Sequence, residues 1–166
     1  EAEEKSEVAM DAIYSKRIIY QDIQEGALFP CFDASGALQY YKVARRLEER
    51  GDAVLAATFL PATKEQAAKH GNRQHGLRPR IEFRGTQWQP SQKASGASLF
   101  RDLEFGGVGY YSYMGRRKEV KELLISLLQE DTNKEVLHFG GHSLGGTDAE
   151  RTMLLVLEEI IREIES

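Results

Sequence analysis

The sequence predicts an α/β protein in which a mostly parallel sheet is covered by helices on both faces. Short apolar segments that suit buried strands lie at residues 54–60, 81–84 and 136–139. Segments with helical spacing of apolar residues separate them. Because strands that alternate with helices usually join one parallel sheet through right-handed crossovers, we expect these three strands to lie side by side.

The N-terminal third predicts mainly helix. Residues 1–12 are acidic and are expected to be loosely helical, and residues 18–20 are expected to form a short strand or a buried anchor. A longer helix is predicted from Ser35 to about Arg50, with Gly51 at the C-cap. Its apolar positions follow helical spacing: Leu38, Tyr41, Ala44 and Leu47.

The middle of the chain predicts one buried strand and one short helix. Residues 54–60 are continuously apolar, and Pro61 ends this strand. Thr63 and Gln66 form a capping box for the short helix. Residues 87–109 are rich in Ser, Gly and Gln and predict a long loop.

The C-terminal third predicts two helices around a strand. Tyr110 begins a helix whose apolar stripe matches the helical template at five positions: Val120, Leu123, Leu124, Leu127 and Leu128. The last helix is expected to bury one face: Met153, Val156, Leu157, Ile160, Ile161 and Ile164.

The most informative motif lies between the last strand and the last helix. Residues 141–145 read Gly-His-Ser-Leu-Gly, which is typical of a nucleophile elbow. The reaction needs Ser143 exposed on a sharp strand-to-helix turn, and Gly141 and Gly145 leave the turn free of side chains. The N-terminal amides of the following helix would face the oxygen that becomes negative during acyl transfer.

A second motif, about sixty residues earlier, fits the same chemistry. Residues 81–86 read Ile-Glu-Phe-Arg-Gly-Thr, an alternating strand that ends in a Gly-polar pair. An oxyanion hole in this arrangement takes one N–H from the residue after the nucleophile, here Leu144, and another from the loop after an earlier strand. Thr86 is the candidate for the second donor.

Together these segments resemble the class 3 lipases, the fungal-type triacylglycerol lipase group of the α/β-hydrolases. The resemblance rests on FRGT (83–86), Asp102-Leu103, the aromatic stretch 109–111 and GHSLGG (141–146), and it covers about residues 78–160. It implies a partial α/β-hydrolase fold that lacks the strands after the elbow. It also implies cleavage of carboxylic, lipid-like esters through an acyl-serine intermediate, without a cofactor.

Under this resemblance Ser143 is the nucleophile, and Thr86 and Leu144 form the oxyanion hole. Gly141, His142 and Gly145 complete the elbow. Residues 87–109 would overhang the site, either as a lid or as a plug at the top of the sheet.

The acid–base pair is missing from this pattern. The α/β-hydrolase order is Ser, then Asp or Glu, then His, but none of the 23 residues after Ser143 is a histidine. His142 is the variable residue of the elbow, and His138 is expected to pack or bond locally. His70 and His75 remain as candidate bases.

Three interpretations follow. The chain is the N-terminal half of a hydrolase with its catalytic Asp and His beyond Ser166, so that residues 1–166 form one truncated domain. Alternatively, it is an inactive hydrolase-like interaction or scaffold domain. The third is an unusual active site that uses His70, His75 or a residue of a partner subunit. The elbow strand would be an exposed edge, so we expect a homodimer or the missing half to cover it.

Composition excludes several classes of function. The net charge is −4 and no basic stripe alternates with aromatic residues, which argues against nucleic-acid binding. Cys31 is the single cysteine, so there is no internal disulfide framework. No apolar run is long enough for a membrane span and no signal peptide is visible, so we expect a soluble protein of unknown compartment. His70 and His75 flank a Gly-Asn turn and do not indicate a metal site.

Overall fold

The structure of the chain is a computed structural model. It describes residues 2–32, 36–49, 53–62, 77–85, 110–130, 137–142, 146, 149–150 and 152–166. Among these residues, no helix combines the length and the apolar composition that crossing a membrane requires.

Three helices and five strands make up the described architecture. The helices are α1 (Ala2–Lys16), α2 (Tyr110–Glu130) and α3 (Leu157–Glu165). The strands are β1 (Leu28–Phe32), β2 (Leu38–Glu49), β3 (Ala53–Pro61), β4 (Arg80–Phe83) and β5 (His138–Gly141). A 3-10 turn at Ile18–Tyr20 follows α1, and a π-helical turn at Thr152–Val156 precedes α3.

The five strands form one mixed sheet in the order β1-β2-β3-β4-β5. The first three pairs are antiparallel, and only β4 and β5 are parallel. The predicted architecture, a mostly parallel sheet with helices on both faces within a partial α/β-hydrolase fold, was therefore wrong. The prediction that the strands near residues 54–60, 81–84 and 136–139 are neighbours is confirmed, because β3, β4 and β5 are adjacent.

The main cause of this error is β2, which was predicted as a helix. Gln39, Tyr41 and Val43 are buried with a period of two, as in a strand. Register shifts at Val43/Arg45 and Leu47/Glu48 then interrupt the alternation. The apolar positions that suggested one helical face are divided between the two faces of the sheet. Tyr41 belongs to the core on one face, whereas Ala44 and Leu47 pack on the other. Leu38 is 42% exposed.

Two hydrophobic clusters lie on opposite faces of the sheet, because alternating residues of β3 contribute to each. The first cluster joins α1 and the 3-10 turn to β1, β2 and β3: Met10, Tyr14, Ile18, Ile19, Ile23, Cys31, Tyr41, Val43, Val54, Ala57, Phe59 and Leu77. The second joins α2 to the other face: Ala56, Leu60, Ile81, Phe83, Val120, Leu123, Leu124, Leu127, Ala149 and Val156.

The helix predictions for the two ends of the chain have mixed outcomes. The N-terminal segment is helical, and Ile18–Tyr20 is a buried anchor but not a strand. The predicted start of α2 at Tyr110 is confirmed. The last helix does not bury its whole apolar face, because Ile161 and Ile164 are 53% and 79% exposed. The predicted capping-box helix near Thr63 lies outside the described residues.

We predict that Phe59→Ala destabilises the protein by about 3–5 kcal/mol, the usual cost of removing a buried aromatic ring. Phe59 is fully buried, and its ring meets those of Tyr14, Phe29 and Tyr41 edge to face at centroid distances of 5.1, 6.4 and 6.5 Å. Urea unfolding measures the change. Phe32→Ala, at a half-exposed ring, is the matched control. Equal losses in both variants would contradict this description of the core.

We also expect the chain to self-associate. Among the described strands β5 pairs only with β4, and apolar side chains near α3 are exposed: Met153, Leu154, Leu155, Ile161 and Ile164. Light scattering should give a mass that rises above 18.7 kDa with concentration. Ile161→Lys should lower it, whereas Val8→Lys, at an exposed position of α1, should not. A constant monomer mass would rule the association out.

Candidate functional site

The two motifs predicted to form the site end on neighbouring parallel strands. β4 and β5 pair in the register Ile81 with Phe139 and Phe83 with Gly141. Because parallel strands present their carboxyl ends at the same edge, the segments after Phe83 and Gly141 begin next to each other. Thr86 and Ser143 are two or three residues further along the chain. The structure therefore places the strands that lead into the two motifs side by side.

The segments that follow β4 and β5 come into close contact at Gly85. Its N–H donates a hydrogen bond to the Tyr20 hydroxyl at 3.0 Å. A Cβ atom at Gly85 would overlap the backbone carbonyl oxygen of His142 and lie 2.7 Å from the Tyr20 hydroxyl. Only glycine fits this position without movement of the backbone. Tyr20 belongs to the 3-10 turn after α1, so its hydrogen bond holds the segment that follows β4 in place.

The described residues contain two of the predicted site residues. Gly141 ends β5 and is partly buried, and His142 follows it in a bend with an exposed side chain. The remaining predicted residues lie outside the described part of the chain: Ser143, Leu144, Gly145, Thr86, His70, His75 and the loop 87–109.

His138 has a distant partner, although the sequence suggested local packing or bonding. Its Nε2 lies 2.9 Å from Oδ1 of Asp11, 127 positions earlier on α1. The hydrogen bond to His138 holds the pKa of the Asp11 carboxyl below its usual value, while partial burial acts in the opposite direction. His138 begins β5, so about 13 Å of strand separates it from His142. It is therefore remote from the elbow.

A buried charged cluster surrounds this pair. Arg80 and Glu82 of β4 are both fully buried and point to the α1 side of the sheet. Arg80 Nη1 donates to Glu82 Oε1 at 3.1 Å and lies 3.8 Å from Asp11 Oδ1. Burial raises the pKa of Glu82 to about 8, although Arg80 favours the charged form. We name these four residues, Asp11, Arg80, Glu82 and His138, the α1–β4–β5 cluster.

Gly140 makes room for the cluster. A Cβ atom there would overlap Oε2 of Glu82 and lie 2.6 Å from Oδ1 of Asp11. Gly140, directly before the predicted elbow, thus leaves space for two carboxylates. The elbow motif does not predict that Gly140 packs against these carboxylates.

The sequence indicated none of the contacts made by Asp11, Tyr20 and Glu82. The sequence shows that charged and apolar residues alternate over residues 80–84. This pattern usually indicates a strand whose charged side chains face water. Here α1 covers that face, so the charges are buried. Spacing along the chain shows no metal-ligand pattern, whereas the fold brings together three residues with potential ligand atoms, Asp11, Glu82 and His138.

Comparison with known proteins identifies no relative: no protein family, no curated protein and no solved structure matches the chain. Function is therefore inferred from the residues and geometry described above.

We predict that Gly85→Ala separates the ends of β4 and β5. The added methyl group would meet a backbone carbonyl, which cannot rotate away, so a loss of about 1–3 kcal/mol in unfolding free energy is expected. Differential scanning calorimetry measures it. The control is Gly146→Ala, whose Cβ would come no closer than 3.3 Å to the Gly141 oxygen. If both variants melt alike, the close contact at Gly85 is not a constraint.

Proposed function

We propose that this protein is a serine hydrolase of the lipase or esterase type, which cleaves carboxylic esters through an acyl-serine intermediate. The observation that carries the proposal is the parallel pairing of β4 with β5, with Gly85 packed against the His142 carbonyl. This contact supports a shared site because Thr86 directly follows Gly85 and Ser143 directly follows His142.

In the proposed reaction the Ser143 hydroxyl attacks the ester carbonyl carbon, and a base takes its proton. The backbone amides of Leu144 and Thr86, with the Thr86 hydroxyl, would stabilise the negative charge on the carbonyl oxygen. The alcohol leaves with a proton from the same base. Water then attacks the acyl-serine, which releases the acid and restores Ser143.

The geometry narrows the choice of base. His138 is bonded to Asp11 at the opposite end of β5, and His142 precedes the nucleophile with an exposed side chain. Among the histidines of residues 1–166, His70 and His75 therefore remain as candidates. A histidine of a partner chain, or one in sequence beyond Ser166, is the alternative. We propose that Tyr20 is a positioning residue: its hydrogen bond with the Gly85 N–H would fix the backbone next to the Thr86 amide.

Lipid esters are the proposed substrate class because FRGT and GHSLGG resemble the class 3 lipases. A small soluble ester would need the same elbow. A series of p-nitrophenyl esters from acetate to palmitate separates the two, since an enzyme for lipid esters should prefer the longer chains.

We predict that a fluorophosphonate probe labels the folded protein at Ser143. Ser143→Ala should abolish labelling and lower ester hydrolysis by about 10⁴-fold or more, since the nucleophile is lost. Intact-mass spectrometry counts the adducts. Ser126→Ala, on α2, is the control and should be labelled like the parent protein.

Two outcomes would contradict the proposal. Labelling that survives in Ser143→Ala would place the reactive group elsewhere. A folded parent protein that neither labels nor hydrolyses any ester would contradict an active site complete within residues 1–166. If a chain extended past Ser166 is also inactive, the alternative, an inactive interaction or scaffold domain, is favoured. The exposed apolar side chains of α3, including Ile161 and Ile164, are the surface that such a domain would offer.

A further inference from the structure

Three potential ligand groups converge between α1, β4 and β5. One carboxylate oxygen of Asp11, one of Glu82 and a ring nitrogen of His138 lie within 4.8 Å of one another. Atoms this close can share one metal ion at ordinary ligand distances of about 2.0–2.2 Å after small adjustments. The three residues come from separate elements and are fixed by the fold rather than by one flexible loop.

A second observation also indicates a ligand. Glu82 is fully buried, and its Oε2 has no hydrogen-bond partner in the described structure. This oxygen faces the space over Gly140, and Asp11 Oδ1 faces the same space. A buried carboxylate oxygen without a partner is costly, and a cation at this point would satisfy it.

The orientation of Glu82 agrees with this reading. Arg80 binds the other oxygen, Oε1, and leaves Oε2 available. Ligating carboxylates are commonly held in this way, by a hydrogen bond to the oxygen that does not face the metal.

We propose that Asp11, Glu82 and His138 bind one divalent transition-metal ion, for which Zn²⁺ is the first candidate. One imidazole and two carboxylates suit Zn²⁺, whereas Mg²⁺ prefers oxygen ligands alone. Asp11 and His138 are 39% and 25% exposed, which gives the ion a path and leaves room for a water ligand. The ion would tie α1 to the sheet, independently of the proposed reaction at the elbow.

Isothermal titration calorimetry with Zn²⁺ alone tests the site on the full chain. We expect one ion per chain, and affinity at least about tenfold weaker in both Glu82→Gln and His138→Gln. His142→Gln is the matched control: it removes an exposed histidine from the same segment of the chain and should bind Zn²⁺ normally. Mg²⁺ should not compete.

Further readouts make the result decisive. Zn²⁺ should raise the melting temperature of the parent protein, and X-ray absorption should show one nitrogen and two carboxylate oxygens at about 2.0–2.2 Å. If Glu82→Gln does not fold, Asp11→Asn, at a half-exposed residue, takes its place. Absence of saturable binding, or equal weakening by His142→Gln, would overturn the proposal.

Discussion

The parallel pairing of β4 with β5 is the constraint on which the rest of the structure depends. It joins the antiparallel part of the sheet to the C-terminal third of the chain, and its register sets Gly85 against the His142 carbonyl. A shift of one residue would turn Ile81 away from the second hydrophobic cluster and bring Glu82 into it, which is energetically prohibitive. The same pairing therefore fixes both the core and the candidate site.

The polar face of β4 explains why α1 is required. Arg80 and Glu82 are fully buried, so each needs a charged or hydrogen-bonding partner. Asp11 of α1 supplies one, and it also binds His138 of β5. The Tyr14 hydroxyl adds hydrogen bonds to the Phe29 and Pro30 carbonyl oxygens of β1. The N-terminal helix thus closes a polar interior that the sheet alone would expose.

Predictions from the sequence succeeded where the pattern of apolar residues matched only one type of secondary structure. The apolar run in β3 and the stripe from Val120 to Leu127 each identified their element. The adjacency of β3, β4 and β5 was also predicted. The strand directions were not, because apolar runs in parallel and antiparallel strands look alike. β2 was assigned as a helix because its apolar residues are three positions apart, although the strand places Tyr41 on one face of the sheet and Ala44 and Leu47 on the other. Of the candidate site, the sequence supplied the two motifs but not the contacts of Tyr20 with Gly85.

The apolar segments, the position of the Gly-X-Ser-X-Gly motif and its distance of about sixty residues from FRGT can all be read from the chain alone. These are local properties, set by side-chain chemistry and turn geometry. The contact of Asp11 with His138, the burial of Glu82 and the position of Gly140 beside two carboxylates arise only in the folded protein. Such contacts join residues up to 127 positions apart, and their energy arises only when packing removes water from the charges.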